Sequence, residues 1–321
     1  MRMLRKLAAI VAVAIVCIPI SGRAQNFPEK PVRLIVNFAA GGPLDIVTRA
    51  LGAKMATVLA QPFVVENRPG AGGNIGAAAV ASSAPDGYTV LFSSDTTVTV
   101  NPGLYESMPF KLADLKALMV IASSGLVVSV HPDVGASSLA EFVSKGRTQT
   151  MTFSSSGNGG PGHIAAAMLQ TLAGVKVNHI PYKGNPQAVM ALLSGEVQAG
   201  VLGTQALLPH FQSGKVRALA VTTRKRLPLL PGTPTTAEAG LPGLVFEPLY
   251  VAFLPAAVPD GVASVLEQAM RAALAAPDVR ERLRNLDIVV EGETGSAAAE
   301  RLARARERYA ATIRATGMKI D

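Results

Sequence analysis

The sequence predicts an α/β protein of two lobes, each a mainly parallel sheet flanked by helices, with a cleft between them. Three observations carry this reading. The chain has 321 residues, room for two separate cores at roughly 150 residues per domain. Short β-branched runs alternate with segments of helical periodicity, the rhythm of βαβ units. That rhythm breaks near residues 123–126 and restarts, and a second extended run at 249–254 returns the chain, so two hinge strands are expected.

Taken in order, residues 32–36 form the first strand. Ile46, Val47, Leu51, Met55 and Val58 recur at helical spacing, and 63–65 is the second strand. A helix at 75–82 and a strand at 88–92 extend the first set. After strands at 118–121 and 126–130, the second set places strands at 152–153, 177–180, 199–202 and 218–222. Helices fall between them at 138–145, 163–172, 186–193 and 205–212. A proline-rich passage at 227–242 precedes the returning strand. Three closing helices, at 261–275, 277–285 and 296–315, are expected to pack back on the first lobe. The division is therefore residues 25–124 with 250–321 as lobe 1 and 125–249 as lobe 2.

The first 24 residues read as a secretory signal peptide. Arg2, Arg5 and Lys6 precede the apolar run 7–18, and Gly22-Arg23-Ala24 has the small residues of a cleavage site. Twelve apolar residues in a helix span only about 18 Å of a roughly 30 Å hydrocarbon layer, too little for an anchor. Export to the periplasm with cleavage near Ala24 is expected. The only cysteine, Cys17, lies in the leader, so the mature chain has no disulfide, thiolate metal site or cysteine nucleophile. Of the formal net charge of +8, four charges belong to Arg2, Arg5, Lys6 and Arg23. The remainder forms no basic stripe, and with no Trp and 5 Tyr to stack bases, nucleic acid is not a partner.

In a parallel α/β sheet, ligands gather at the carboxyl ends of the strands, so the loops there carry the chemistry. After the first strand, Phe38, Ala40, Gly41, Gly42 and Asp45 belong to a glycine-rich loop with Pro43 opening a helix, a pattern that exposes backbone N–H groups to an anion. Asp45 is expected to complement the helix dipole and hold the loop. Ser93, Ser94 and Asp95 follow the third strand. In the second lobe, Ser154, Ser155, Ser156, Asn158, Gly159 and His163 belong to a serine- and glycine-rich loop opening another helix, the strongest local signal in the chain. Leu202 and Gly203 end a later strand, and Lys183 sits at a strand end.

Other chemistries fail on spelling. Gly157 and Gly162 are spaced as in a phosphate-binding P-loop, but His163-Ile164 stands where Lys and Ser/Thr are required. Ile75 interrupts a dinucleotide-type glycine pattern at residues 70–76. The four histidines make no zinc-protease spacing, and no Gly-x-Ser-x-Gly elbow occurs. No metal, cofactor or catalytic constellation is expected.

Five motifs, in order along the chain, resemble the solute-binding proteins of tripartite tricarboxylate transporters, also called the Bordetella uptake gene receptors. They are Phe38-x-x-Gly41-Gly42-Pro43-x-Asp45, the stretch from Val65 to Asn74 (VENRPGAGGN), Ala84-Pro85-Asp86-Gly87-Tyr88, Pro181-Tyr182-Lys183-Gly184 and Ala237-Glu238-Ala239-Gly240. The resemblance implies a type II-like periplasmic binding protein that closes by hinge motion on a small organic carboxylate and delivers it, as a monomer, to the membrane permease subunits of a tripartite transporter. It implies no enzymatic activity. A ligand-sensing partner of a signalling system and a periplasmic enzyme on the same architecture are the alternatives. Ala39 and Ala40 stand where many members have two prolines, and Leu202-Gly203 where many have an Asp-Asn-like pair. Leu202 is therefore expected to form an apolar wall favouring an acid with an apolar body over citrate, and Asp95 either to point away and cap the 96–97 turn, the favoured reading, or to meet a ligand amine or hydroxyl.

Overall fold

The computed structural model describes residues 27–317 and 319. The expected leader at 1–24 lies outside the described residues. The first lobe opens with β1 (Val32–Val36), α1 (Pro43–Leu59), β2 (Phe63–Asn67), α2 (Asn74–Ala81) and β3 (Thr89–Ser94), then two one-turn helices, α3 (Thr96–Thr99) and α4 (Asn101–Leu104). β4 (Leu115–Ser124) leads across the hinge. The second lobe comprises β5 (Leu126–Val130), α5 (Leu139–Thr148), β6 (Met151–Ser155), α6 (Pro161–Ala173), β7 (Val177–Pro181), α7 (Asn185–Leu193), β8 (Ala199–Gly203), α8 (Thr204–Gln212) and β9 (Arg217–Val221). β10 (Leu249–Pro255) returns, and α9 (Asp260–Ala275), α10 (Pro277–Arg284), β11 (Ile288–Thr294) and α11 (Gly295–Thr316) close the chain.

α1 shows how the local sequence produces these elements. Pro43 fixes φ in the first turn, Leu44, Val47, Leu51 and Met55 fall on one face and are buried, and the helix stops where Ala60 turns left-handed. β11 was not among the expected strands, although Ile288-Val289-Val290 is a β-branched run; it pairs along the outer side of β4.

The sheets run β11-β4-β10-β3-β1-β2 and β7-β6-β8-β5-β9. The parallel pairs are those of the βα rhythm: β1 with β2 and β3, and β6 with β7 and β8. The remaining pairings are antiparallel, so both sheets are mixed. For all of these but the β11–β4 pair, the cause is the double crossing. Strands of βα units run towards the cleft, whereas β5 and β10 enter their lobes from the hinge and run away from it. The two crossings lie side by side: Thr222 donates its amide to Leu126 O at 2.9 Å and its hydroxyl to Phe246 O at 2.6 Å, and the Ser124 amide donates to Pro248 O at 3.1 Å.

α9 and α10 pack on the first-lobe core as expected, through Leu266, Met270, Val279 and Leu283. α11 departs from expectation in its second half. Ala298 and Leu302 join a first-lobe cluster, but Ala305, Tyr309 and Ile313 join the second-lobe core beside Phe246, together with Val100 and Leu104. At 22 residues the helix is about 33 Å long, enough to reach both lobes.

Candidate functional site

The carboxyl ends of β1, β3, β6 and β8 converge on a cleft of about 630 Å³ between the lobes. From lobe 1 it is lined by Phe38, Gly42, Pro43, Leu44 and Ser94; from the hinge by Ser124, Leu126, Pro248 and Tyr250; from lobe 2 by Ser156, Gly162, Asn185, Leu202 and Gly203, among others. No Lys, Arg, His, Asp or Glu is in this lining. Apolar walls from Phe38, Leu44, Leu126, Val201 and Leu202 alternate with hydroxyls and one amide side chain. Ser124 Oγ and the Tyr250 hydroxyl share a hydrogen bond of 2.7 Å at the hinge.

Four helices begin on this cleft. Their N-caps are Gly42 for α1, Gly160 for α6, Gly184 for α7 and Gly203 for α8, and none has a side-chain capping bond. A helix start normally leaves several N–H groups without an intrahelical partner, and a Ser, Thr or Asp cap would satisfy one of them. Glycine caps leave those donors and the positive dipole ends available to a ligand without any cationic side chain.

The loops are held from behind. The Gly41 amide donates to Asp45 Oδ2 at 3.0 Å, and Asn67 Nδ2 bridges Asp45 Oδ1 at 3.0 Å and Phe38 O at 3.1 Å. Burial works to raise the Asp45 carboxyl, but bonds from Arg49, Gly41 and Asn67 outweigh it and hold it below its ordinary range. In lobe 2, Gly159 N donates to His163 Nδ1 at 3.1 Å, and the His163 ring stacks on His179 with centroids 3.9 Å apart and planes 5° from parallel. His179 Nε2 lies 2.6 Å from Ser155 Oγ, which also accepts from the Gly157 amide. His163 therefore acts as an acceptor at Nδ1, with the pair positioning the loop from outside the cleft lining.

Burial lowers His163 to about 4, and burial with the neighbouring His163 lowers His179 to about 3. Both lie below the ordinary 6.5, so the unfolded chain takes up protons first and folding stability falls as the pH drops from about 6.5 towards 4. Asp95 acts with opposite sign: burial pushes its carboxyl from 3.8 up to about 6, so the fold gains stability across that window as pH falls. The expected result is acid destabilisation that becomes steeper in Asp95→Asn and shallower in His163→Asn. Circular dichroism at stepped pH checks it; a His163→Asn variant as acid-sensitive as the wild type would remove this histidine from the account.

Of the residues singled out from sequence, Phe38, Gly42, Ser94, Ser156, Leu202 and Gly203 line the cleft. Asn158 and Lys183 line an outer compartment of about 1110 Å³ that shares Phe38, Ala39, Ser156 and Gly184 with the inner one. Ala40 and Gly41 are exposed on the loop and Asp45 is buried beneath it. Ser93 is buried, accepting from Asn37 Nδ2 at 2.8 Å, and Ser154 is buried beside Gly200. Ser155, Gly159 and His163 form the support described above.

Asp95 corrects the expectation made for it. Although it precedes α3, its side chain makes no capping bond there; Oδ1 instead accepts from the Leu249 amide at 3.0 Å, tying the returning strand to lobe 1. It is absent from the cleft lining. Sequence reasoning missed Ser124, Asn185 and Tyr250. Asn185 had a readable signal, since Gly184-Asn185-Pro186 is another glycine-and-proline helix start; Ser124 and Tyr250 reach the cleft only because the two hinge strands pair.

The sequence profile described as the tripartite tricarboxylate transporter family receptor matches residues 47–318. The chain belongs to this family. Protein BugT of Bordetella pertussis is 34% identical over 327 aligned positions, covering 100% of both chains. Among solved structures, an R. palustris protein with adipate superposes with a TM-score of 0.87 at 29% identity, covering 91% of this chain and 99% of that one. MatC from Rhodopseudomonas palustris with bound malate gives 0.84 at 28% identity, covering 89% and 100%. The receptor is thus a two-lobed solute-binding protein of the periplasmic type. No helix among the described residues is long and apolar enough to cross a membrane.

Proposed function

We propose that this receptor captures a small organic carboxylate by hinge closure between lobe 1, residues 25–124 with 250–321, and lobe 2, residues 125–249. It delivers that acid, as a monomer, to the permease subunits of a tripartite transporter in the periplasm, after removal of residues 1–24. The observation that carries the reading is the set of four glycine-capped helix starts on an uncharged cleft. Such a site suits a carboxylate held by backbone amides and hydroxyls. Structural neighbours bound to adipate and malate are consistent with it. The Leu202, Leu126 and Phe38 walls favour a monocarboxylate or dicarboxylate with an apolar body over citrate. Catalysis is not part of the reading: the Ser155–His179 contact lies outside the cleft lining.

The test is a thermal-shift screen of the mature protein against aliphatic and aromatic mono- and dicarboxylates, citrate and neutral solutes. A bound acid at a hundredfold excess over its Kd stabilises the fold by about 2.7 kcal/mol. Gly42→Asp is expected to abolish that shift without unfolding the chain. Gly42 has φ −79° and an added Cβ would meet only Ala39 O, at 3.4 Å, so aspartate fits as a helix N-cap while placing its charge where the ligand carboxylate would lie. A shift from neutral solutes alone, or an unchanged shift in Gly42→Asp, overturns the reading.

A further inference from the structure

Along α11, Arg301, Arg304 and Arg308 follow one another at i, i+3 and i+7, a single stripe on the helix. The stripe borders a hollow of about 980 Å³, which Arg224 lines from beyond β9 and which shares no lining residue with the ligand cleft. The four guanidiniums are not equally engaged. Arg301 is paired with Glu291 at 2.9 Å and Glu293 at 2.8 Å. Arg304 makes one long contact, 3.4 Å, with exposed Glu300 on its own helix. Arg308 donates to the Tyr309 hydroxyl at 2.8 Å, and among the described residues neither it nor Arg224 has an ion-pair partner. Glu247 also lines the hollow, where it accepts from the Arg224 amide.

The second observation is Asp95, which lines the same hollow. Its side chain is fully buried; Oδ1 takes the Leu249 amide, while Oδ2 has no hydrogen-bond partner. An unsatisfied buried carboxylate oxygen is costly. A group that satisfies it must bring a donor, and one that satisfies Arg224, Arg304 and Arg308 must bring acceptors. An oxyanion carrying its own O–H has both.

We propose that this hollow is a second anion site, distinct from the carboxylate cleft, that takes inorganic hydrogenphosphate, an oxyanion that keeps an O–H at neutral pH where a phosphate monoester has lost it. Its unprotonated oxygens accept from Arg224, Arg304 and Arg308, and its O–H donates to Asp95 Oδ2. Sulfate has the same shape and no proton to give at neutral pH, so it meets the Asp95 carboxylate acceptor to acceptor and is rejected.

Isothermal titration of the mature protein at pH 7.5 and constant ionic strength tests this with inorganic phosphate, sulfate and glycerol phosphate. Expected are one phosphate per chain, at least tenfold weaker sulfate, and phosphate binding that persists in Gly42→Asp, where the cleft is disabled. Glycerol phosphate, whose phosphoryl group has lost its proton at this pH, is expected to bind at least tenfold more weakly than inorganic phosphate, and equal or tighter binding overturns the proposal. Arg308→Gln and the more exposed Arg224→Gln are each expected to weaken phosphate at least tenfold; should the first fail to fold, the second decides. Asp95→Asn, which keeps an acceptor for the Leu249 amide, is expected to erase the preference for phosphate over sulfate. No phosphate binding at millimolar concentration, equal phosphate and sulfate affinities in the wild type, or an unchanged preference in Asp95→Asn overturns the proposal.

Discussion

Gly162→Ala is expected to destabilise the protein by about 2–3 kcal/mol and to abolish carboxylate binding. Gly162 lies in the first turn of α6 and lines the cleft. A Cβ there would fall inside the contact distance of the Val201 carbonyl oxygen on β8, and both are backbone-anchored, so no side chain can swing aside. Either α6 lifts off the sheet or β8 bends, and each costs packing in a buried layer. The same displacement moves the α6 amides away from the ligand. Urea unfolding with calorimetry on the same sample measures both effects. Retained affinity alongside lost stability would show that the α6 start is not a ligand contact.

Gly184→Ala is expected to reduce carboxylate affinity at least tenfold, about 1.4 kcal/mol or more. Gly184 has φ +104°, a region costly for any residue with a side chain, so a stability loss of about 1–2 kcal/mol accompanies the change. The larger functional effect comes from a second term. The new Cβ would lie 2.8 Å from the Ala39 Cβ on the opposite lobe, wedging the cleft open. Combining it with Ala39→Gly separates the two, because the double variant relieves the wedge and leaves the backbone strain. Recovery of binding without recovery of stability is the expected outcome. If the double variant binds as poorly as the single one, contact between these loops is not what closure requires.

The loops that build the cleft were legible where local chemistry announces itself. Phe38 and Gly42, and Ser156 in the second lobe, stand in glycine- and hydroxyl-rich stretches between a β-branched run and a helical pattern, and a strand's carboxyl end faces the ligand side in such units. The same spelling included Ser154, which is buried beside Gly200, and Ser155 and His163, whose side chains turn away into support of the loop: Ser155 towards His179, and His163 towards the Gly159 amide. Alternation along a strand decides which of two neighbouring serines reaches the cleft, and a cluster of polar residues does not reveal its phase.

By itself, the sequence determined the two sets of βα units, the two crossings between lobes and the loops that open α1 and α6, because each is written in contiguous residues through periodicity and turn chemistry, and its five motifs carried the resemblance to the family. Only the tertiary structure decided the rest. The antiparallel placement of β5 and β10 follows from their entering from the hinge. Asp95 meets Leu249 across 154 positions of chain, Ser124 meets Tyr250 across 126, and the second half of α11 completes the core of the other lobe. These pairings depend on which distant surfaces exclude water together. Burial energy scales with the area two elements cover jointly, and that area exists only after the chain has folded.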